Sequence, residues 1–253
     1  MGRLEGKIAF LAGASSGIGR AAVKRFAAEG ATIVYCARRK ELLDSPGAEI
    51  AAAGGKGKGV VLDISDINAY GAALEETAKT YGRLDIHVHN AMYGHFRMLA
   101  DTDIEEWQAN FRVNADAAFT ATMTAIRLMA AQGHGSIVNV ATIAAVRSVP
   151  GLGAYAASKA ALISMSQTAA LEAAASNVRV NIVIPGVIDT ESMRASFGND
   201  PQIAAHSAAQ IPMGRFGTPD ELTNGILFLA SDEASYITGH SLIIDGGKFV
   251  KLG

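Results

Sequence analysis

Seven short apolar runs, each set apart from the next by a helix-length stretch, leave this chain few ways to fold. They fall at residues 8–11, 32–36, 60–62, 85–89, 136–140, 178–184 and 241–244, and most are rich in Val, Ile and aromatic side chains. The stretches between them read as helices at about 20–29, 40–53, 66–81, 103–131 and 219–229, with another around residues 155–159. Strands that alternate with helices build a parallel sheet covered on both faces, because parallel neighbours need a crossover and the crossover helix packs against the sheet. Right-handed crossovers then favour a doubly wound α/β fold. No linker, repeat or charge block divides the 253 residues, so residues 1–253 read as one domain with a mostly parallel seven-stranded sheet. The hydrophobic fraction of 49% is enough for a sizeable core.

Two segments resist a strand or helix reading. Gly54, Gly55, Lys56, Gly57, Lys58 and Gly59 read as a connecting turn ahead of the third strand. Residues 190–215 carry Gly198, Asn199, Pro201 and Pro212 and read as an irregular, variable lid.

The first strand runs into Gly13, Ala14, Ser15, Ser16, Gly17, Ile18 and Gly19, and a helix with apolar Ala22, Val23 and Phe26 follows. A strand, a glycine turn and a helix start make an anion site. Gly13 permits the tight turn, Gly17 lets a phosphate approach the backbone, and Gly19 allows close packing of the helix. The helix start adds unpaired N–H groups and the positive end of its dipole. The pattern is GxxxGxG rather than GxGxxG.

Tyr155 and Lys159 stand four residues apart in a helical stretch, which puts them one turn apart on one face. A free phenol ionises near pKa ~10, and a nearby ammonium favours the phenolate. Such a pair gives and takes protons near neutral pH. In doubly wound sheets the ligand crevice lies outside the carboxyl ends of the strands. Gly13, Asn90, Thr142 and Pro185 all lie just after strands and so face one crevice.

Taken in order along the chain, these motifs resemble the short-chain dehydrogenase/reductase family, in the form of its single-domain members of roughly this length, with a Rossmann-type fold. The resemblance spans nearly the whole sequence. It rests on the turn from Gly13 to Gly19, on Asp63 after the third strand, on Asn90 and Ala91 after the fourth, and on Asn114. Further on it rests on Tyr155 with Lys159, on Pro185, Gly186, Ile188 and Thr190, and on the tail from Ile237 to Gly247.

The resemblance implies an oxidoreductase moving a hydride between NADP(H) or NAD(H) and a carbonyl or secondary alcohol. It implies Tyr155 as general acid or base and Lys159 as the group that lowers the phenol's pKa and holds the nicotinamide ribose. Asn114 would hold a water between Lys159 and solvent; alternatively it is a mid-helix residue bonded to backbone. Gly13, Ser15, Ser16, Gly17, Ile18 and Gly19 would hold the cofactor phosphates. Asp63 and Ile64 would lie at the adenine, Asn90 and Ala91 at the adenine-side ribose. Pro185, Gly186, Ile188 and Thr190 would lie at the nicotinamide. Asp63 equally suits a cap for the following helix. A homotetramer, or a homodimer, is implied as well, with the tail from Phe249 to Gly253 near an interface.

Three departures stand out. A serine is usual thirteen residues before the tyrosine, and here Thr142 stands there. Its hydroxyl keeps the hydrogen bond to the reacting oxygen, while its methyl stiffens χ1. Asn-Asn-Ala-Gly is usual after the fourth strand, and here the chain reads His89, Asn90, Ala91, Met92. Ala12 replaces a usual threonine. His87 and His89 share one strand face and read as structural rather than metal-binding, so no metal is expected.

After the second strand come Ala37, Arg38, Arg39 and Lys40, with no carboxylate at the strand end. An acidic residue there bonds a ribose 2′-hydroxyl, and a basic one suits a 2′-phosphate. Arg38 and Arg39 therefore point to NADP(H) over NAD(H), although Ser16 supplies no second base and the pair also reads as a solvated helix start. Tyr93, Phe96, Met98, Met193 and Phe197 fall in loops expected to edge the pocket, which suits an apolar or aromatic substrate. Phe96 and Arg97 also suit an acidic group.

Net charge is −2, with no basic footprint for nucleic acid. Cys36 is the only cysteine, so no intramolecular disulfide forms. Residues 1–7 show no signal-peptide h-region, Gly6 stands where a myristoylation motif needs Ser or Thr, and no run spans a bilayer. A cytoplasmic protein without a membrane partner is expected. Two rivals share the fold: a nucleotide-binding sensor or scaffold with little redox activity, and an isomerase or dehydratase.

Overall fold

The computed structural model describes residues 2–251. All seven strands lie in one sheet: β1 (Ile8–Ala12), β2 (Thr32–Ala37), β3 (Lys56–Val61), β4 (Ile86–His89), β5 (Gly135–Val140), β6 (Val178–Pro185) and β7 (Ser241–Ile244). Their spatial order is β3-β2-β1-β4-β5-β6-β7, and every pairing is parallel. The order reverses between β1 and β4, and that reversal opens the crevice in which such folds take ligands. The central strands are buried on both faces, as sheets covered on both sides require.

The helices are α1 (Gly17–Ala28), α2 (Glu41–Ala52), α3 (Ile67–Tyr81), α4 (Ile104–Phe111), α5 (Ala117–Gln132), α6 (Gly153–Ala173), α7 (Glu191–Ser196), α8 (Pro201–Ala209) and α9 (Pro219–Ala230). One core cluster joins Leu11, Val23, Phe26, Ile33 and Leu227, where α1 and α9 cover the sheet. Another, on the opposite face, joins Phe10, Tyr70, Leu74, Ala121 and Met129 under α3 and α5. Among the described residues no helix is long and apolar enough to cross a membrane.

Three local expectations are corrected. The Gly54–Gly59 stretch is not simply a turn: β3 starts at Lys56 and runs through it. β3 is an edge strand whose glycines leave room for α2, since a Cβ on Gly57 would meet Ile50 Cδ1 at 2.9 Å and one on Gly59 would meet Leu43 Cβ at 3.2 Å. Lys56 and Lys58 stay exposed, which discourages pairing with another edge. The helix expected over 103–131 is broken by a π-helical turn at Arg112–Asp116. An extra residue in the backbone ladder leaves no trace in hydrophobic spacing, so periodicity does not reveal it. The lid is not irregular, because α7 and α8 lie inside it, capped by Thr190 and Asp200 side chains that accept from Met193 N and Gln202 N. Of the tail expected near an interface, Leu252 and Gly253 lie outside the described residues.

Candidate active site

The crevice begins at the turn after β1. Gly13 has φ +83°, and a Cβ there would come within 2.6 Å of Ala91 N, so only glycine fits between the ends of β1 and β4. Asn90 Nδ2 donates to Gly13 O at 3.0 Å and ties the turn to β4. A Cβ on Gly19 would collide with Gly13 O, so α1 starts hard against the turn. α1 itself starts at Gly17, earlier than sequence spacing suggests, and its N-cap Ser16 makes no side-chain cap hydrogen bond. No acidic residue occupies its first turn. Uncapped N–H groups, a positive dipole end and space cleared by glycine suit a dinucleotide phosphate, so the residues fit the cofactor that the sequence implies. Ser15 and Ile18 are half-buried in this turn, and Ser16 is exposed.

Other cofactor candidates ring the same end of the sheet. Arg38 and Arg39 follow β2, are exposed, and form no ion pair among the described residues. Asp63 is exposed after β3 and accepts from Ser65 N at 3.0 Å, while Ile64 is buried. The helix cap is Asp66, which accepts from Ala69 N, so Asp63 is not needed for that purpose. Pro185 ends β6, and Gly186 N donates to Ile244 O at 2.9 Å. Ile188 bridges to Gly217, and Thr190 packs so close to Gly17 that a Cβ there would meet Thr190 Cγ2 at 2.9 Å. The phosphate turn and the start of the lid therefore touch.

Tyr155 and Lys159 lie in the first two turns of α6. Lys159 is only 1% exposed, and its ammonium donates to Val140 O at 2.8 Å and Ala91 O at 3.5 Å. Burial without a carboxylate pushes it down to about 7. Burial also pushes the Tyr155 phenol up to about 12, with a hydrogen bond to the Thr142 side chain acting in the opposite direction. Burial thus raises the phenol where the spacing of the pair suggests a lowered one, and the ammonium turns toward two carbonyls.

Thr142 follows β5 in extended backbone, and its Oγ1 accepts from Ala144 N at 3.3 Å. A hydroxyl has one hydrogen to give, and accepting at oxygen leaves that hydrogen for the Tyr155 phenol oxygen or for an oxygen bound beside it in the crevice. Asn114 sits fully buried in the π turn. Its Oδ1 accepts from Tyr93 N at 2.9 Å, and its Nδ2 donates to Tyr93 O at 2.7 Å and Ser158 Oγ at 2.9 Å. The side chain is therefore committed to the loop after β4 and to α6.

Sequence reasoning missed Ser158 and Gly94. A Cβ on Gly94 would come within 2.8 Å of the Tyr155 ring, so the loop after β4 lies directly on the phenol. A lone glycine in an aperiodic loop is the only signal for it. Of the rim candidates, Phe96 is 71% exposed, and Met92 and Met98 are also exposed. Tyr93, Met193 and Phe197 are half-buried, with the Phe197 ring tilted against Phe216 at 6.1 Å between centroids. Arg97 Nε pairs with Glu106 at 3.0 Å and so is not free for an acidic substrate group. A groove of about 670 Å³ along α1 is lined by Arg20, Lys24 and Glu49, and Tyr155 is not part of its lining.

A family model described as enoyl-(acyl carrier protein) reductase matches residues 13–248. The 3-oxoacyl-acyl-carrier-protein reductase FabG of Thermotoga maritima is 42% identical over 98% of this chain and 100% of its own length. The 2,5-dichloro-2,5-cyclohexadiene-1,4-diol dehydrogenase LinX of Sphingobium indicum is 38% identical over 97% of each chain. A crystal structure from Burkholderia xenovorans, assigned provisionally to the short-chain dehydrogenases/reductases, superposes with a TM-score of 0.95 at 32% identity over 100% of both chains.

Proposed function

This chain belongs to the short-chain dehydrogenase/reductase family, whose NAD(P)-dependent enzymes interconvert CH–OH and C=O groups, and from that premise we propose a carbonyl reductase that prefers NADP(H). The observation that carries the reading is the convergence of Tyr155, Lys159 and Thr142 beside an uncapped, glycine-cleared helix start. One relative is named for reducing a 3-oxoacyl group and another for oxidising a cyclic diol, so the type of bond is shared while the substrates differ. The exposed Phe96, Met92 and Met98 favour an apolar or aromatic carbonyl.

NADP(H), when bound, supplies or accepts the hydride. The chain's own residues orient the substrate and handle the proton. Thr142 turns its hydroxyl hydrogen from the Tyr155 phenol to the carbonyl oxygen and polarises it. Tyr155 holds a proton at its hydroxyl and gives it to the same oxygen as the alcohol forms; the reverse reaction returns it. Lys159 places a positive charge where the phenolate develops, which lowers the barrier. Asn114 and Ser158 hold the loop after β4 against α6 and so fix Tyr155 beneath Gly94. Residues 190–215, through α7 and α8, act as the lid. The enzyme works as a homotetramer, or a homodimer, in the cytoplasm.

Arg38, with Arg39 beside it, grips the 2′-phosphate. A charge-assisted hydrogen bond contributes about 1.5–3 kcal/mol, so Arg38→Asp should lower the NADPH-to-NADH ratio of kcat/KM by roughly 10–100-fold. An unchanged ratio would remove Arg38 from cofactor selection. Thr142→Ser should preserve or raise turnover, whereas Thr142→Val should lower it by ~10²–10³. Equal rates for the Val variant would show that the hydroxyl contributes nothing.

A further inference from the structure

Chain ends are poorly ordered unless something ties them down. Here the tail after β7 folds into a turn over residues 246–250, and side chains satisfy both of its ends. Asp245 accepts from Gly247 N at 2.8 Å and from Phe249 N. At the other end Arg147 Nη1 donates to Phe249 O and to Lys251 O at 3.0 Å, with Lys248 O at 3.5 Å. Basic side chains satisfy the last carbonyls of helices in the same way. Arg147 is exposed, yet it pairs with no carboxylate among the described residues.

On one side this contact leads to Thr142. Arg147 N donates to Ile143 O at 2.8 Å, and Ala145 N donates to Thr142 O at 3.1 Å, so the guanidinium hangs from the tight turn that begins at Thr142. Phe249, whose carbonyl Arg147 holds, is half-buried against the apolar cluster that contains Ala141 and Ile143.

On the other side it leads to the lid. Lys251 Nζ donates to Gln210 O at 3.1 Å, and Met213 N donates to Gly246 O at 3.2 Å. A Cβ on Gly246 would meet Ile211 Cγ2 at 2.8 Å, and one on Gly247 would meet Pro212 Cγ at 3.2 Å, so the two glycines let the tail lie against the lid where it ends after α8. A tail that merely docked would touch one element. This one touches two that border the crevice, and Arg147 joins them.

We propose that Arg147 is a positioning residue: by clasping the tail it ties the far end of the lid to the turn that carries Thr142, and so holds both in place around the carbonyl. The kinetic part of this inference rests on the reductase reading, and the mechanical part stands without it.

Hydrogen exchange of the cofactor-free protein, read by mass spectrometry on peptic peptides, tests the mechanical link without turnover. In Arg147→Ala, peptides covering 245–251 and 208–214 should both exchange faster, while those of β1 and α1 keep the parent's rate. Faster exchange in the tail alone would overturn the proposal, because Arg147 would then anchor a chain end and nothing more. The variant should elute from a sizing column like the parent. Loss of assembly would also overturn it, since Arg147 would then serve a subunit contact. Should Arg147→Ala fail to fold, Lys251→Met cuts the link on the lid side and should likewise speed exchange over 208–214. Unchanged exchange there, in whichever variant folds, would contradict the proposal. In steady-state kinetics Arg147→Ala should raise KM for the carbonyl by roughly 2–30-fold, the range over which remote networks alter coupling, and leave KM for NADPH as it was. Arg147→Lys should recover part of the loss, since an ammonium also donates to carbonyls but without the planar fork. An unchanged carbonyl KM in Arg147→Ala would remove the positioning role. If no carbonyl is turned over, the reductase reading fails by itself, and the exchange result still decides whether Arg147 joins tail and lid.

Discussion

Tyr155→Phe is expected to bind cofactor like the parent and to lose ~10²–10⁴ in turnover, the range that general acid–base catalysis supplies. The phenyl ring keeps the packing beneath Gly94 and removes only the hydroxyl. Cofactor titration by fluorescence checks the first half, and steady-state rates check the second. The loss should fall on kcat and kcat/KM alike, since the interaction is made in the transition state. Near-normal rates would move proton transfer to another group, and the candidate site would have to be rebuilt around it.

The second large effect concerns stability and pH. Lys159 is held down to about 7 by burial, far below its value in an unfolded chain. Between about pH 7 and 10 the unfolded chain therefore binds a proton that the folded chain does not. Stability rises with pH wherever the unfolded state binds more protons. The lysine's destabilising effect is fully present below pH 7 and fades as pH rises toward 10, and it amounts to several kcal/mol. The cofactor-free protein should thus gain stability across this window, and Lys159→Met should flatten the gain while abolishing turnover. Urea midpoints taken at intervals from pH 6 to 10 read the slope directly. A parent slope no steeper than that of Lys159→Met would mean that the buried ammonium is better solvated than its surroundings suggest. This kind of exchange, in which a functional group weakens the fold that holds it, is common at active sites.

Much of the architecture is legible in the sequence because each strand is a short apolar run and each helix carries its own spacing. β1, β2, β4, β5, β6 and β7 fall within a residue or so of where the runs place them. β3 is hidden because Gly57 and Gly59 look like turn residues, and their lack of side chains is what lets α2 lie over the edge. The π turn around Asn114 is hidden because inserting one residue shifts a backbone ladder without disturbing which side chains are apolar. The lid looks irregular because α7 and α8 are short, and the helix signal of α8 starts at a proline.

The site divides in the same way. Gly13, Gly17 and Gly19 announce themselves by spacing, and Tyr155 and Lys159 by sharing a helix face. The partners that hold them do not. Asn114 reaches Tyr93 and Ser158 across the fold, and Asn90 reaches back to Gly13, through contacts that no local pattern encodes. Protonation is harder still to read. The spacing of Tyr155 and Lys159 suggests a lowered phenol, yet burial raises it and lowers the lysine. Desolvation depends on the whole packed surroundings rather than on the neighbour one turn away.

The most direct test is absorbance at 340 nm with purified protein, NADPH or NADH, and a panel of apolar and aromatic ketones, aldehydes and quinones. NADPH signal should fall with at least one carbonyl, faster than NADH, and the fall should vanish in Tyr155→Phe. No loss with either cofactor across the panel, although both bind, would contradict the reductase assignment and favour a nucleotide-binding protein that performs no hydride transfer.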